Sequence, residues 1–216
     1  MLIDNGARIS DGVIIHHGAV VSSIPQDLKF KGEDSVLEVG EKTVIREYAT
    51  LNRGTAYSGK TVVGKNCLIM AYAHVAHDCV LGNFVIMANS VNLGGHVFMD
   101  DYAIAGGVSG IHQFVRIGKH VIFANNSRVS KDIPPYVTAG NTPLKFEGLN
   151  LIGLRRRGFT KEKINLIGDV YGVLYKSGLN FSDALIKIKE TFDTKDDSVK
   201  EIIDFFESST RGVIGN

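Results

Sequence analysis

Apolar residues recur along this chain with a period of six. From Val63 the positions Ile69, Val75, Leu81, Met87, Leu93, Met99, Ala105, Ile111, Ile117, Phe123 and Val129 are all apolar, and the next is Pro135. With apolar residues near half of a chain, such a run has chance odds on the order of one in thousands. A helix repeats its apolar face every three or four residues, and a half-buried strand every two. A strict six predicts a parallel β-helix of hexapeptides, each a short strand and a bend. Three hexads close one triangular coil, so residues three hexads apart stack above one another.

The same register holds at Ile3, Ile9, Ile15 and Val21, then breaks over residues 22–36. It resumes at Val39, Ile45 and Leu51 and breaks again from about Arg53 to Lys60. Both breaks read as loops leaving the coil, the second a turn-rich excursion, GTAYSGK. The long run is expected to end at Ile133-Pro134-Pro135, because proline cannot donate the next ladder bonds.

After Gly140 the period changes. Residues 146–157 have helical apolar spacing. Thr160 is a predicted N-cap for a helix to about Lys176, with Gly178 just past its end. Ser182 is read as the cap of a helix to about Phe192. A further helix runs from Asp197 or Ser198 to near Ser208, with Ser198 and Glu201 as a capping box. The predicted fold is mainly β: a parallel β-helix over 1–140 with a loop at 22–36, and a C-terminal α-helical domain over 141–216. The helices are too few to bury a core alone. They must pack on the prism, on a neighbouring subunit, or on both.

At 216 residues and net charge +1, with charges of both signs mixed, the chain has no nucleic-acid footprint. No apolar run is long enough to span a membrane. The opening MLIDNGARIS lacks the basic and apolar regions of a signal peptide, so the cytoplasm is the expected compartment. Cys67 and Cys79 are two hexads apart, fall on different faces, and are expected to be buried thiols rather than a disulfide.

The register also predicts where chemistry gathers. His77, Gly95 and Gln113 should form one vertical column. Asp78, His96 and Phe114 form the next, and Ala76, Gly94 and His112 the one before. His74 lies close by on the same coil as His77. This patch suits acyl transfer to a hydroxyl or amine. A neutral His77 can take a proton near pH 7. Asp78 can orient it, or can point away from its neighbour. Gly95 can offer a backbone N–H to an oxyanion. No Ser or Cys is present in the patch, which favours direct attack by the acceptor over a covalent acyl-enzyme. The bland alternative is a set of polar residues capping exposed bends. Zinc on His74, His77 and His96 or His112 is another. In β-helical zinc enzymes, however, the same-chain ligands are five apart, and His74 and His77 are three apart, so no metal is assigned. Arg155-Arg156-Arg157 suits either a phosphate clamp or a solvated helix end. Asp27 and Lys29, in the first loop, either hold a polar ligand or stabilise the turn. His16, His17 and His120 read as structural.

Several segments then carry a family resemblance: IPQDLKF (24–30), AYAHVAHDCVLGN (71–83), GGHVFMDDYAI (94–104), VSGIHQFVRIG (108–118), KDIPPYV (131–137), GLRRRGF (153–159) and FFESSTRGVI (205–214). From about residue 22 onward the chain resembles the UDP-N-acetylglucosamine O-acyltransferases that open lipid A synthesis. The resemblance implies a homotrimer of left-handed β-helices with active sites between subunits. It implies transfer of a 3-hydroxyacyl group from acyl carrier protein to the 3-hydroxyl of UDP-N-acetylglucosamine, without a cofactor. By motif, His77 is the general base, Asp78 its partner and Gly95 the oxyanion donor. His74, His96, His112 and Gln113 meet substrate or product. Asp27 and Lys29 hold the sugar nucleotide, as do Asn150, Arg156 and Arg157, with the arginines at phosphate. Asn125 stands at a position that limits acyl length, and a side chain there implies a chain shorter than the longest.

The chain departs from the family in two places. Ile152 stands where an acidic residue is expected, and family members extend further at the N-terminus, so the first coil is expected to be an exposed edge. The alternatives are the sibling N-acyltransferase, which carries an additional N-terminal sugar-binding domain, and a truncated trimeric binding protein without turnover.

Overall fold

The computed structural model describes residues 1–216. Three sheets, parallel but for one terminal strand of the third, form the sides of a triangular prism. The first face stacks the strands Leu2–Ile3, Val20–Ser23, Thr50–Asn52, His74–Val75, Asn92–Leu93, Gly110–Ile111 and Arg128–Val129. The second face runs from Ala7–Ile9 through Val36–Val39, Lys60–Val63, Val80–Leu81 and Phe98–Met99 to Arg116–Ile117. The third runs from Ile14–Ile15 through Val44–Ile45 to Ile122–Phe123, then adds Val137–Gly140 and Lys145–Leu149. Each coil visits the three faces in turn.

The hexad residue is the inward residue of each strand. Ile69, Val75, Leu81, Met87, Met99 and Ile117 are all at most 1% exposed. Full burial of one such side chain stabilises by roughly 1.5–3 kcal/mol, and the prism repeats that gain on every face. From Leu68–Ile69 to Arg128–Val129 every strand is two residues long, because each hexad must also turn a corner. The corner residue adopts a left-handed conformation, as at Asn66 (φ 54°), Tyr72 (φ 61°), Asp78 (φ 57°), Phe84 (φ 58°) and His96 (φ 62°). That conformation costs an L-residue roughly 1–2 kcal/mol. A ladder between coils offsets it: His96 N–H donates to the His77 carbonyl at 3.0 Å, and Phe114 N–H to that of Gly95 at 3.1 Å.

The prolines do not end the prism. Ile133 still bridges to Ile117, and the strand Val137–Gly140 pairs in parallel with Ile122–Phe123. The missing proline N–H groups fall in a corner, not in the ladder. The helical reading of 146–157 is corrected in its first half. Lys145–Leu149 is a strand antiparallel to Val137–Gly140. Only Leu151–Arg156 is helix, α1, capped by Asn150. Helix α2 spans Lys161–Lys176 with Thr160 as its cap. Helix α3 spans Phe181–Thr191, and its cap is Asn180 rather than Ser182. Helix α4 spans Asp197–Glu207 and is capped by Asp196, whose carboxylate accepts from the N–H groups of Ser198 and Val199. A capping box through Glu201 does not form, because Glu201 instead meets the Tyr136 hydroxyl and, at 3.5 Å, Lys119.

The helices pack on the end of the prism of their own chain. Tyr171 on α2 donates its hydroxyl to the Pro135 carbonyl at 2.6 Å, and Tyr175 donates to that of Ile214 at 2.8 Å. Both cysteines are buried free thiols. No helix is long and apolar enough to cross a membrane.

Candidate active site at the first corner

His77 occupies the corner between the first and second faces. Gly95 and Gln113 occupy the same corner one and two coils on, as their column predicts. Both register breaks leave the prism at this corner too. Residues 24–35 connect Val20–Ser23 to Val36–Val39, and residues 53–59 connect Thr50–Asn52 to Lys60–Val63. The ladder records the insertions: Val20 pairs with Thr50 and Thr50 with His74, before the regular spacing of His74 with Asn92 begins.

Asp78 points to His77, which closes the alternative left open by its place at the bend. Its Oδ2 lies 2.7 Å from His77 Nδ1. An ionised carboxylate only accepts, so Nδ1 carries the proton and Nε2 holds the free lone pair. The remaining partners come from the second loop. Thr55 donates its N–H to Oδ1 at 3.1 Å and its hydroxyl to Oδ2 at 2.7 Å. Ser58 donates its N–H to Oδ1 at 3.3 Å, and its hydroxyl meets the same oxygen. Burial of Asp78 works against its charge, but the bonds from Ser58, His77 and Thr55 outweigh that and hold the carboxyl at about 2.

Above Asp78, the His96 ring meets His77 edge-on with centroids 5.0 Å apart, and stacks on Phe114 at 4.3 Å. Tyr57, from the second loop, closes over His96 edge-on at 4.5 Å. Burial lowers the His96 pKa, against the opposing pull of Asp78. His77, Asp78 and His96 have potential ligand atoms within 4.8 Å of one another. A cation there would have to displace donors that already occupy both Asp78 oxygens. No cysteine supplies a nucleophile, since burial pushes the Cys79 thiol up to about 12.

Gly95 lies directly beside the His77 ring. A Cβ built on it would be 2.5 Å from Cε1. Its carbonyl accepts from Phe114, while its N–H makes no hydrogen bond within the chain. His74 Nδ1 is 2.7 Å from the Thr50 hydroxyl. His112 and Gln113 are exposed at the same corner, with the His112 ring 3.2 Å from the Gln113 carbonyl. Asp27 accepts from the Lys29 N–H at 3.0 Å in the first loop, and Lys29 is exposed.

The other predicted residues lie at different corners. Asn150, Arg156 and Arg157 flank the corner between the second and third faces. There the Arg157 guanidinium sits 4.8 Å over the Tyr102 ring, and Arg156 lines a pocket of about 610 Å³ with Ile104, Ile122 and Ile152. The Asn150 side chain is buried and spent inside the chain. Its Oδ1 accepts from Gly153 and its Nδ2 donates to the His120 carbonyl at 2.9 Å. Asn125 is at the third corner, exposed, accepting from Gly107 N–H at 2.8 Å. Thr55 and Ser58 escaped the sequence reading. The signal was there, since the register places the second loop at the same corner as His77.

Comparison with known proteins bears on the fold and the family. Residues 132–214 match the family model "Udp N-acetylglucosamine O-acyltransferase; Domain 2", and residues 60–95 match the bacterial transferase hexapeptide model of six repeats. An acyl-[acyl-carrier-protein]--UDP-N-acetylglucosamine O-acyltransferase from Burkholderia lata is 42% identical over 93% of this chain and 78% of its own length. The crystal structure of LpxA, a UDP-N-acetylglucosamine acyltransferase from Bacteroides fragilis, superposes with a TM-score of 0.95 at 48% identity, over 98% of this chain and 83% of that one. The enzyme from Francisella novicida gives 0.89 at 34% identity, over 100% and 92%. The prism is thus a left-handed parallel β-helix, and the chain belongs to the UDP-N-acetylglucosamine O-acyltransferase family.

Proposed function

We infer that this chain is an acyltransferase that moves a 3-hydroxyacyl group from acyl carrier protein to the 3-hydroxyl of UDP-N-acetylglucosamine, the first step of lipid A synthesis, with His77 as general base. Family membership supports the substrates and the reaction. The observation that carries the mechanism is the 2.7 Å contact of His77 Nδ1 with Asp78, which leaves Nε2 as the basic nitrogen beside Gly95.

Nε2 takes the proton of the acceptor hydroxyl as that oxygen attacks the thioester carbonyl. The carbonyl becomes an oxyanion, and the free Gly95 N–H is placed to donate to it. The intermediate collapses by breaking the carbon–sulfur bond, and the imidazolium returns the proton to the departing thiol. Asp78 stabilises the imidazolium in between. His74, His96, His112 and Gln113 line the approach at this corner. Asp27 and Lys29 reach it from the loop.

The working unit is a homotrimer with its sites between subunits. Two features support this. Asn125, Arg156 and Arg157 stand at corners other than that of His77, so one site using all of them draws on a second copy. The outward side of the third face is apolar at Val44, Leu68, Ile86, Ile104 and Ile122, a surface suited to burial. The two free thiols suit the reducing cytoplasm.

The test is to incubate the protein with 3-hydroxyacyl carrier protein and UDP-N-acetylglucosamine and weigh the product by mass spectrometry. An O-acylated sugar nucleotide is expected, lost in His77→Ala. Turnover of a 3-amino analogue alone would make the acceptor a 3-amine instead of a 3-hydroxyl, and binding without product would leave a non-catalytic protein.

A further inference from the structure

The second loop does more than leave the prism and return. Four of the five donors to Asp78 come from two of its residues, Thr55 and Ser58. The Asp78 side chain has no exposure to solvent. Water therefore cannot compensate its charge, and the protein must supply the donors. The Ser58 hydroxyl proton faces two acceptors, Asp78 Oδ1 and the Lys60 carbonyl. The charged acceptor is the stronger. Thr55 Oγ1 also accepts from the Tyr57 N–H at 3.2 Å, which ties the Asp78 anchor to the residue closing over His96. Asp78 itself is set from below, where its N–H donates to the Thr61 hydroxyl at 2.8 Å.

We propose that Thr55 and Ser58 are positioning residues for the acyl transfer. They hold Asp78 ionised and aimed at His77 Nδ1, and so select the imidazole tautomer whose lone pair is on Nε2. Three bonds converge on Oδ1 (Thr55 N–H, Ser58 N–H and the Ser58 hydroxyl), and the Thr55 hydroxyl shares Oδ2 with His77. Together they fix the carboxylate plane. Without the two hydroxyls Oδ2 keeps only His77, and Oδ1 keeps only the longer backbone bonds from Thr55 and Ser58, at 3.1 and 3.3 Å, so the carboxylate plane is no longer fixed. This inference rests on His77 being the general base.

The test compares the full-length protein with Ser58→Ala, with Thr55→Val/Ser58→Ala, and with the conservative Thr55→Ser, each also in an Asp78→Ala background. Two readouts apply: steady-state kinetics, and ¹⁵N-histidine NMR of the His77 tautomer. In the parent background the double variant is expected to lose about tenfold to a hundredfold in kcat, the scale of a misplaced catalytic group. KM for both substrates should stay within about twofold, and Thr55→Ser should retain most of the activity. In the Asp78→Ala background the same pair should cost less than about twofold, because its route of action is gone. The NMR should show His77 protonated on Nδ1 in the parent and mixed between its nitrogens in the double variant. Ser58→Ala alone, which leaves the Thr55 contacts in place, gives a smaller change of the same kind and guards against misfolding of the pair. Equal losses in both backgrounds, or an unchanged tautomer, overturn the proposal. Failure of the parent to acylate UDP-N-acetylglucosamine, or full activity in His77→Ala, would instead sink the functional reading, and the tautomer measurement stands apart from both.

Discussion

A methyl group placed on Gly95 would stand 2.5 Å from His77 Cε1 and 2.7 Å from Nε2. The two residues come from neighbouring coils, and the His77 ring can occupy its position only because its neighbour has no side chain. Gly95→Ala should therefore tilt the ring without disturbing the core. Its backbone is not in the left-handed region, so alanine adds no strain there. The expected outcome is a loss of about a hundredfold or more in kcat, with a thermal midpoint close to that of the parent. Steady-state rates and a thermal melt of the same sample check it.

His120 predicts an acid-side loss of stability. Burial, helped by the charges of Arg157 and Lys119 and opposed by Asp101, holds its imidazole down at about 4. An unfolded histidine titrates near 6.5. Between these values the unfolded chain binds a proton that the folded chain refuses, so stability falls as pH drops from about 6.5 to about 4. His120→Phe keeps the stack with Tyr102 and Tyr136, and the Nδ1 it deletes has no partner. Urea unfolding of that variant should show a flatter pH dependence in this window.

Asn150 should act through structure before it acts on substrate. Its side chain caps α1 and bonds the His120 carbonyl. Asn150→Ala is expected to cost about 1–2 kcal/mol of stability. The KM for UDP-N-acetylglucosamine should rise as well, because α1 carries Arg156 and sets the position of Arg157. Arg156→Ala, exposed at the same pocket, should raise that KM with no change in the unfolding midpoint.

Asn125 projects from the third corner with its amide oxygen on Gly107. Asn125→Gly should shorten this projection and shift the preferred donor to longer acyl chains. Competition between hydroxyacyl carrier proteins of different lengths, read by mass spectrometry, measures the shift. An unchanged preference would remove Asn125 from the set of length-determining residues.

Much of this layout is legible in the sequence. A period of six carries its own stacking rule, so the column of His77, Gly95 and Gln113 followed from counting. The third-face strand Lys145–Leu149 was not legible, because Phe146, Leu149 and Leu154 keep a helical spacing, and the irregular register within the strand breaks the period of two that would have marked it. Antiparallel pairing with Val137–Gly140, in a hairpin closed by residues 141–144, settled it. The caps of α3 and α4 were displaced for a local reason: Asn180 and Asp196 precede residues that are themselves good caps, and only one geometry forms.

The residue order alone determined the prism, the coil repeat and the corner where the histidines meet, because burial of every sixth side chain fixes which residues stack, whichever hand the coil takes. It did not determine what surrounds Asp78. Thr55 and Ser58 sit where the repeat fails, and a break in periodicity says only that the chain departs. Which atoms it brings back to the corner depends on the loop's path across the prism. Only the tertiary structure, where a buried carboxylate must find donors within 3.3 Å, decided that.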